Sequence, residues 1–418
     1  MLPNQAVLPE PSADAQVHSA RLRAQLAVAI ARSEGCLPFD QYMEQVLYAP
    51  GLGYYAAGAA RFNGAGDFTT APEISPLFGR TLARALAPGL RALRTGDVGT
   101  PGGPASDAVT VLEPGAGTGR LALVLLAALD ALGAAPDRYW ILEPSPALQA
   151  EQRRTLQALP AHLRGRVEWL QALPAPFVGA IVANEVLDAL PVELLQTDEA
   201  GSVLACAVTV DAQGQLGWTL QAASAAQQAA AAARWAPHGL PPAGTRFELA
   251  PATSAWVATL ADCLRQGVML LIDYGYPARE LYLPQRTRGT LMCHYRHHAH
   301  DDPFWWPGLQ DLTAHVDFTA IGARLDSAGL VLQQFCTQAA FLLGHGLLET
   351  LDAGLQPGSV DWLRQTTALQ KLVSPAEMGE SFKVLVAVRP GERGLPAAAL
   401  FDGPGPLACS HQLGLEQA

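Results

Sequence analysis

An acidic residue followed by three glycines at alternate positions is the part of this sequence that most directly indicates chemistry. Glu113 ends a short apolar run, and three glycines then precede an apolar segment of helical character: Gly115, Gly117 and Gly119. Such a turn lets the backbone come close to a bound nucleoside, and the following helix presents free N–H groups. The spacing is G-x-G-x-G, whereas a dinucleotide pyrophosphate site has G-x-G-x-x-G. The stretch predicts a nucleoside-bearing ligand, with a purely structural turn as the alternative.

A second acid, Glu143, follows the apolar run at residues 138–142 in the phrase YWILEPSPAL. If that run is the next strand of a parallel sheet, its end lies at the ligand edge of the sheet. One carboxylate can accept hydrogen bonds from both hydroxyls of a ribose, which explains the residue type. We therefore expect Glu143 to bind ribose, the alternative being an ordinary acid at a strand end.

Three polar residues follow the continuously apolar run at residues 177–183, and they are Asn184, Glu185 and Asp188. The carboxyl ends of central parallel strands border the ligand crevice. A purely structural role is a poor explanation, because acids are seldom buried without a partner. We therefore expect these three residues to lie beside the reacting group of the ligand, on the substrate side.

A long glycine-rich and aromatic stretch at residues 51–80 has little periodicity, which is typical of functional or disordered loops. Its charged and hydroxyl side chains belong to Asp67, Thr69, Thr70, Glu73 and Ser75. The alternative is a surface loop that caps the next helix, with Ser75 as N-cap and Pro76 at the first helical position.

Five of the ten histidines lie in residues 289–319, so a metal site has to be considered there. His297, His298 and His300 make no i, i+4 pair, and no carboxylate triad accompanies them. We predict no metal site and expect a polar loop that lines the substrate site.

The apolar runs that would position these residues alternate with helical segments, which predicts a mostly parallel α/β sheet. Seven strands are expected, at residues 109–112, 138–142, 166–170, 177–183, 267–272, 330–334 and 382–388. The rhythm breaks after residue 191, where two strand-like pieces and an alanine-rich helix indicate an insertion. The predicted organisation is a disordered leader (1–18), a helical and loop segment with a linker (19–107), a core (108–390) with an insertion at about 192–265, and a tail (391–418).

Composition excludes several classes of protein. The formal net charge is −11 and there is no block of Lys or Arg, which argues against nucleic acid as the partner. No stretch approaches 18 uninterrupted apolar residues, so no membrane span is expected. The six cysteines are scattered and the N-terminus has no secretory pattern, which predicts a cytoplasmic protein with reduced thiols. Composition does not indicate an oligomeric state.

Several motifs together resemble one family in one order across residues 37–390: GDFTTAPEISPLFG, LEPGAGTGRL, ILEPSPAL, VANEVLDALPV, LLIDYG, DLTAHVDFT and MGESFKVL. The sequence is similar to the MidA family, the S-adenosylmethionine (SAM) methyltransferases that include the mitochondrial complex I assembly factor and its bacterial relatives. The resemblance implies a class I methyltransferase fold, a Rossmann-like seven-stranded sheet with helices on both faces. The last strand is then expected antiparallel between the fifth and sixth. Pro114 departs from the family pattern, where a small or apolar residue is more usual.

The resemblance also assigns residues. It implies that Glu113, the three glycines and Glu143 bind SAM, with S-adenosylhomocysteine as the product. The GDFTT segment is expected to fold over the cofactor, and it comprises Gly66, Asp67, Phe68, Thr69 and Thr70. Asn184, Glu185 and Asp188 match the acidic segment beside the transferred methyl group, and Asn184 is expected to contact the cofactor as well.

In the mitochondrial members the implied activity is methylation of a protein arginine on a respiratory complex I subunit. A pair of carboxylates could bind the guanidinium group and fix its direction, and Glu185 and Asp188 are the candidates. Two alternatives stay open: a methyltransferase that acts on a small molecule or another atom, and an assembly chaperone that binds SAM without chemistry. A nicotinamide dehydrogenase is a remoter fourth interpretation.

Overall fold

The computed structural model describes residues 8–57, 70–95, 108–352, 354–391 and 395–415. Of the residues assigned to the cofactor by resemblance, Gly66, Asp67 and Thr69 lie outside the described residues, as does Phe68, whereas Thr70 lies within them. Among the described residues, no helix combines the length and the apolar character that a membrane crossing needs.

The strands are numbered in chain order. They are β1 (Leu37–Pro38), β2 (Val109–Pro114), β3 (Arg138–Leu142), β4 (Val167–Leu170), β5 (Phe177–Asn184), β6 (Glu193–Thr197), β7 (Val203–Val210), β8 (Leu216–Ala222), β9 (Arg246–Leu249), β10 (Leu264–Tyr276), β11 (Met292–Tyr295), β12 (His298–His300), β13 (Asp311–Thr313), β14 (Val316–Asp317), β15 (Val331–Thr337) and β16 (Phe382–Arg389).

The α-helices are numbered in the same way. They are α1 (Ala13–Arg32), α2 (Phe39–Tyr48), α3 (Ala71–Ile74), α4 (Pro76–Thr95), α5 (Arg120–Ala131), α6 (Pro146–Thr155), α7 (Ala161–Arg164), α8 (Ala225–Trp235), α9 (Pro251–Cys263), α10 (Ala278–Leu281), α11 (Phe318–Ser327), α12 (Gln338–Gly344), α13 (Val360–Val373), α14 (Met378–Ser381), α15 (Ala397–Leu400) and α16 (Pro406–Leu413). Short 3-10 helices occupy Leu156–Ala158 and Leu348–Thr350.

The chain divides into two compact units. The core unit comprises the described parts of Thr69–Val186, Trp256–Gly275 and Phe318–Ala418. The second unit comprises the described parts of Met1–Phe68, Leu187–Ala255 and Tyr276–Asp317.

Seven strands of the core unit lie side by side in the order β15-β16-β10-β5-β2-β3-β4. Strands β10, β5, β2, β3 and β4 are mutually parallel, whereas β16 pairs antiparallel with both β10 and β15. The last strand is therefore inserted between the fifth and sixth, as expected from the sequence. With helices packed against this sheet, the predicted class I methyltransferase fold is confirmed.

The centre of the sheet is apolar because its strands are covered on both faces. Strand β5 is buried along its whole length except at Asn184, its last residue. Helix α4 contributes Leu82, Leu86 and Leu90 to the same core, at the spacing that places them on one face. Ahead of this helix the hydroxyl oxygen of Ser75 accepts a hydrogen bond from the backbone N–H of Leu77, at 3.2 Å, as the capping interpretation predicts.

The second unit is antiparallel. One sheet has the order β1-β7-β6-β9, with β8 paired to β7, and another has the order β12-β11-β13. Strands β7 and β8 and helix α8 correspond to the strand-like pieces and the alanine-rich helix expected after residue 191. The core of this unit includes buried side chains of α1 and α2, among them Leu26, Phe39 and Tyr42.

Two chain ends carry more structure than the sequence indicates. Helix α1 begins at Ala13, not near residue 19, because the hydroxyl of Ser12 accepts a hydrogen bond from the backbone N–H of Ala15. The residues expected as a C-terminal tail form α15 and α16, and Phe401 and Leu413 are buried there. These apolar side chains belong to the core unit, so this segment is part of the fold.

Candidate functional site

The glycine turn joins β2 to α5 in the core unit. Gly117 and Gly119 have φ angles of +52° and +84°, in the left-handed region that favours glycine. A Cβ atom added at Gly119 would lie 3.1 Å from the Cα of Gln152, whereas one added at Gly117 would meet nothing within 4 Å. Backbone packing therefore explains Gly119, and the space beside Gly117 is open to a ligand.

The acid before the turn, Glu113, points into the core. Its Oε2 accepts a hydrogen bond from the hydroxyl of Tyr139 at 2.5 Å, and both side chains are buried. Burial raises the pKa of Glu113 to about 7, and the Tyr139 hydrogen bond opposes part of that rise. Glu113 thus braces the strands that carry the turn, since β2 pairs with β3.

The predicted ribose acid, Glu143, lies at the end of β3. Its Oε1 accepts a hydrogen bond from the backbone N–H of Ser145 at 2.9 Å. Its Oε2 accepts one from the side-chain amide of Gln152 at 3.2 Å. Burial raises the pKa of Glu143, and these two donors counteract the rise because they favour the ionised form.

Gln152 is a member of this site that the sequence analysis missed. It lies on α6 and is fully buried. Its amide nitrogen also donates to the carbonyl of Gly117 at 2.9 Å, so one side chain joins the glycine turn to Glu143. A glutamine within a polar helical segment resembles a surface residue, and no spacing in the sequence singles it out.

Asn184 and Glu185 come together where β5 ends. The amide nitrogen of Asn184 donates to Oε1 of Glu185 at 3.0 Å. Glu185 has a φ angle of +53°, a left-handed conformation that costs a non-glycine residue about 1–2 kcal/mol. Its backbone N–H donates to the carbonyl of Ile272 in the neighbouring strand, at 2.9 Å, which holds the strained residue in place.

The short helix α3 is hydrogen-bonded both to the end of β5 and to the glycine turn. The backbone N–H of Ala71 donates to Oε1 of Glu185 at 3.4 Å. The carboxylate of Glu73 accepts a hydrogen bond from the hydroxyl of Thr118, inside the glycine turn. Thr70 is the N-cap residue of this helix. Helix α3, which directly follows the GDFTT segment, therefore contacts a residue of the turn and a residue at the end of β5.

Asp188 belongs to the second unit. Its side chain is buried, and its backbone carbonyl accepts a hydrogen bond from the N–H of Ala314 at 3.0 Å. In the same unit, burial lowers the pKa of His294 to about 4, which keeps this imidazole neutral near pH 7. No group of three or more His, Cys, Asp or Glu side chains within the described residues could hold a metal ion.

The residues of the core unit fit the nucleoside that the sequence predicts. A buried carboxylate stands at the end of β3, one strand from the glycine turn, and open space lies beside Gly117. Helix α5 begins directly after Gly119, and the N–H groups of its first turn can bind a carboxylate or another anionic group.

Comparison with known proteins also indicates a nucleoside-bearing ligand. A family model described as "Putative S-adenosyl-L-methionine-dependent methyltransferase" matches residues 81–336. A protein from Burkholderia thailandensis, crystallised with S-adenosyl-homocysteine, is similar in structure with a TM-score of 0.84 and 43% identity, covering 94% of this chain and 97% of the other. A second crystal structure from that organism has a TM-score of 0.82 and 42% identity, covering 95% of this chain and 98% of the other.

Relatives with curated names are more distant. The chain is 30% identical over 413 residues to the Drosophila melanogaster protein named protein arginine methyltransferase NDUFAF7 homolog, mitochondrial, covering 92% of this chain and 88% of the relative. It is 26% identical over 389 residues to human protein arginine methyltransferase NDUFAF7, mitochondrial, covering 87% of this chain and 82% of the relative.

Proposed function

Because this chain belongs to the MidA family of SAM-dependent methyltransferases, we propose that it methylates a nitrogen atom of an arginine side chain in a protein. SAM is the cofactor, and S-adenosylhomocysteine is the product that remains after transfer. The names of the relatives support the arginine acceptor, and they do so at low identity.

On the cofactor side, Glu143 accepts hydrogen bonds from the ribose hydroxyls. The backbone of the turn at Gly115, Gly117 and Gly119 lies close to the cofactor. Glu113 is a proposed cofactor residue as well, and its hydrogen bond with Tyr139 holds it at the start of the turn. Gly66, Asp67, Thr69, Thr70 and Asn184 complete the proposed cofactor residues. SAM supplies a methyl group that is already activated on a sulfonium, so the protein mainly has to align the acceptor. Such positioning is worth roughly 7–11 kcal/mol.

On the acceptor side, we assign Asn184, Glu185 and Asp188. A guanidinium group is positively charged at neutral pH and is matched by carboxylates, which bind its N–H groups and fix its plane. The strained backbone of Glu185 is the observation that carries this assignment, because strain at a strand end is maintained where the surrounding structure fixes a functional group. Asp188, three residues along the chain, provides the second carboxylate. The proton leaves the nitrogen after transfer, so no strong base is required.

The family resemblance also implies a role in respiratory complex I assembly, and we include that role in the proposal. We further propose that the protein is cytoplasmic. All six cysteines are free thiols in the structure, which suits a reducing compartment.

The experiment that tests the acceptor uses labelled SAM with an arginine-containing peptide library and a matched library in which lysine replaces arginine. Hydrolysis and mass spectrometry identify the methylated atom. Label confined to arginine nitrogen supports the proposal. Label on a small nucleophile, on oxygen or on carbon would contradict the proposal and support a methyltransferase that acts on a small molecule or another atom. Binding of S-adenosylhomocysteine without any transfer would favour the chaperone.

Glu185→Gln tests the role of the carboxylate in methyl transfer separately from cofactor binding. We expect methyl transfer to arginine to fall by about 100-fold, since a charge-assisted contact contributes about 1.5–3 kcal/mol in a buried site. Affinity for S-adenosylhomocysteine should change by less than about threefold. The matched control is Glu349→Gln, an exposed residue of the core unit, for which neither quantity should change. Full transfer by the Glu185 variant would show that the carboxylate role is wrong.

A further inference from the structure

Both polar atoms of the Gln152 side chain, the amide nitrogen and the amide oxygen, have hydrogen-bond partners. The amide nitrogen donates to the carbonyl of Gly117 and to Oε2 of Glu143, at 2.9 and 3.2 Å. The amide oxygen accepts from the indole N–H of Trp169 at 2.9 Å. A buried amide that is fully satisfied in this way is held in one orientation.

The indole N–H of Trp169 determines the orientation of the Gln152 side-chain amide. An indole nitrogen can only donate, so the oxygen of Gln152 must face it. The two N–H groups then face two acceptors, the Gly117 carbonyl and the Glu143 carboxylate. The guanidinium of Arg153 lies 3.8 Å from the ring centroid of Trp169 and covers that ring. The chain of contacts therefore runs from Trp169 through Gln152 to the two parts of the cofactor site.

The carboxylate of Glu143 is consequently fixed in rotation. One oxygen is held by the backbone N–H of Ser145 and the other by Gln152. A carboxylate offers about four lone-pair directions. Two are used by these donors, and the remaining ones stay available to a pair of hydroxyl groups on a ligand.

We propose that Gln152 is a positioning residue that sets the Glu143 carboxylate for the two ribose hydroxyls of SAM and couples it to the glycine turn. The proposal rests on the ribose role assigned to Glu143 above. Gln152 acts through Glu143 and Gly117, and it is not itself required to touch the ribose.

The test compares the dissociation constants of S-adenosylhomocysteine and of its 2′-deoxy analogue by calorimetry. The wild-type chain should prefer the ribose form by about tenfold, the size of one charge-assisted hydrogen bond. In Gln152→Ala we expect this ratio to fall to about one to twofold, because affinity for the ribose form is lost while the deoxy analogue is affected little.

Gln149→Ala is the matched control. Gln149 lies on the same helix, and its amide donates to the backbone carbonyl of Glu143 at 2.7 Å instead of to the carboxylate. The ribose preference should remain in this variant. Trp169→Phe gives a milder perturbation that keeps an aromatic ring in place, and it should lower the preference by about threefold because the amide is free to rotate.

Two results would overturn the inference, and they are distinguishable. If Gln152→Ala and Trp169→Phe weaken both ligands equally, Gln152 supports the fold and does not position Glu143. If Glu143→Gln keeps the ribose preference of the wild type, the ribose role of Glu143 is wrong and the inference fails with it, while the arginine acceptor is unaffected.

Discussion

Tyr139 donates its hydroxyl to the carboxylate of Glu113 at 2.5 Å, and both groups are buried beneath the glycine turn. Strands β2 and β3 carry these two residues and are neighbours in the sheet. The hydrogen bond therefore ties the strand that enters the turn to the strand that ends at Glu143. It also leaves an acid in an apolar environment, and burial raises its pKa to about 7.

This pKa predicts how stability depends on pH. Between the ordinary pKa of 4.5 and about 7, the folded state keeps the proton of Glu113 that the unfolded state has released. The free energy of unfolding should therefore fall as pH rises through this window and should level off above it. Glu113→Gln removes the titration, so its stability relative to the wild type should rise by roughly 3 kcal/mol from pH 4.5 to pH 7.5. Urea unfolding across the pH range measures the difference.

Tyr139→Phe is the companion variant for this prediction. It removes the hydrogen bond that favours the ionised carboxylate, so the pKa of Glu113 should rise further and the window should extend to higher pH. If the wild type and Glu113→Gln show parallel stability curves between pH 4.5 and 7.5, the buried acid does not titrate as described.

The glycine turn allows a test with a matched pair. Gly117 and Gly133 both have positive φ angles, +52° and +65°, and a Cβ at either would meet nothing within 4 Å. Substitution by alanine at either position should therefore lower the free energy of unfolding by a similar amount, about 1 kcal/mol. Only Gly117→Ala should lower affinity for S-adenosylhomocysteine, by about tenfold or more, because its methyl group would occupy the space beside the turn.

Calorimetric titration with S-adenosylhomocysteine measures this difference, and NAD serves as the negative ligand because the turn lacks the pyrophosphate spacing. Equal affinity in the two alanine variants would mean that the cofactor does not approach Gly117. Binding of NAD by the wild type would point to a different ligand for the turn.

The positions of the core strands along the chain could be predicted from the sequence because local patterns mark them. Continuous apolar runs mark β2, β5 and β10, and a polar residue at the end of each run marks the ligand edge. The antiparallel position of β16 came from the family resemblance, and the pairing of β16 with β10 and β15 confirms it.

The remaining features depend on contacts that no local pattern encodes. Gln152 reaches residues on two other elements, and its burial follows from tertiary packing. Glu185 could be singled out as an acid at a strand end, but its left-handed backbone depends on the neighbouring strand at Ile272. The packing of Phe401 and Leu413 likewise depends on the finished core, so their segment resembled a tail.

Asp188 offers a test of the second proposed carboxylate. We expect Asp188→Asn to lower methyl transfer to an arginine peptide by about tenfold or more and to leave the dissociation constant of S-adenosylhomocysteine unchanged, since the charge and not the shape is lost. Asp198→Asn is the control in the same unit, because the Asp198 carboxylate accepts hydrogen bonds from the backbone N–H groups of Ala200 and Ser202 in an exposed turn. Equal rates in the two variants would remove Asp188 from the proposed site.

Asn184→Asp tests the contact beside Glu185. The amide nitrogen of Asn184 lies 3.0 Å from Oε1 of Glu185, so the variant would place two carboxylates against each other. One of them should then keep its proton to a higher pH than an ordinary carboxyl group, because a like charge at this distance raises a pKa. We expect methyl transfer to fall by about tenfold at the acid end of the pH range and to recover as the pH rises and the pair loses that proton. Asn184→Ala removes the amide without adding a charge and should lower the rate with no new pH dependence. If the pH–rate profiles of the two variants coincide, the amide of Asn184 does not set the charge state of Glu185.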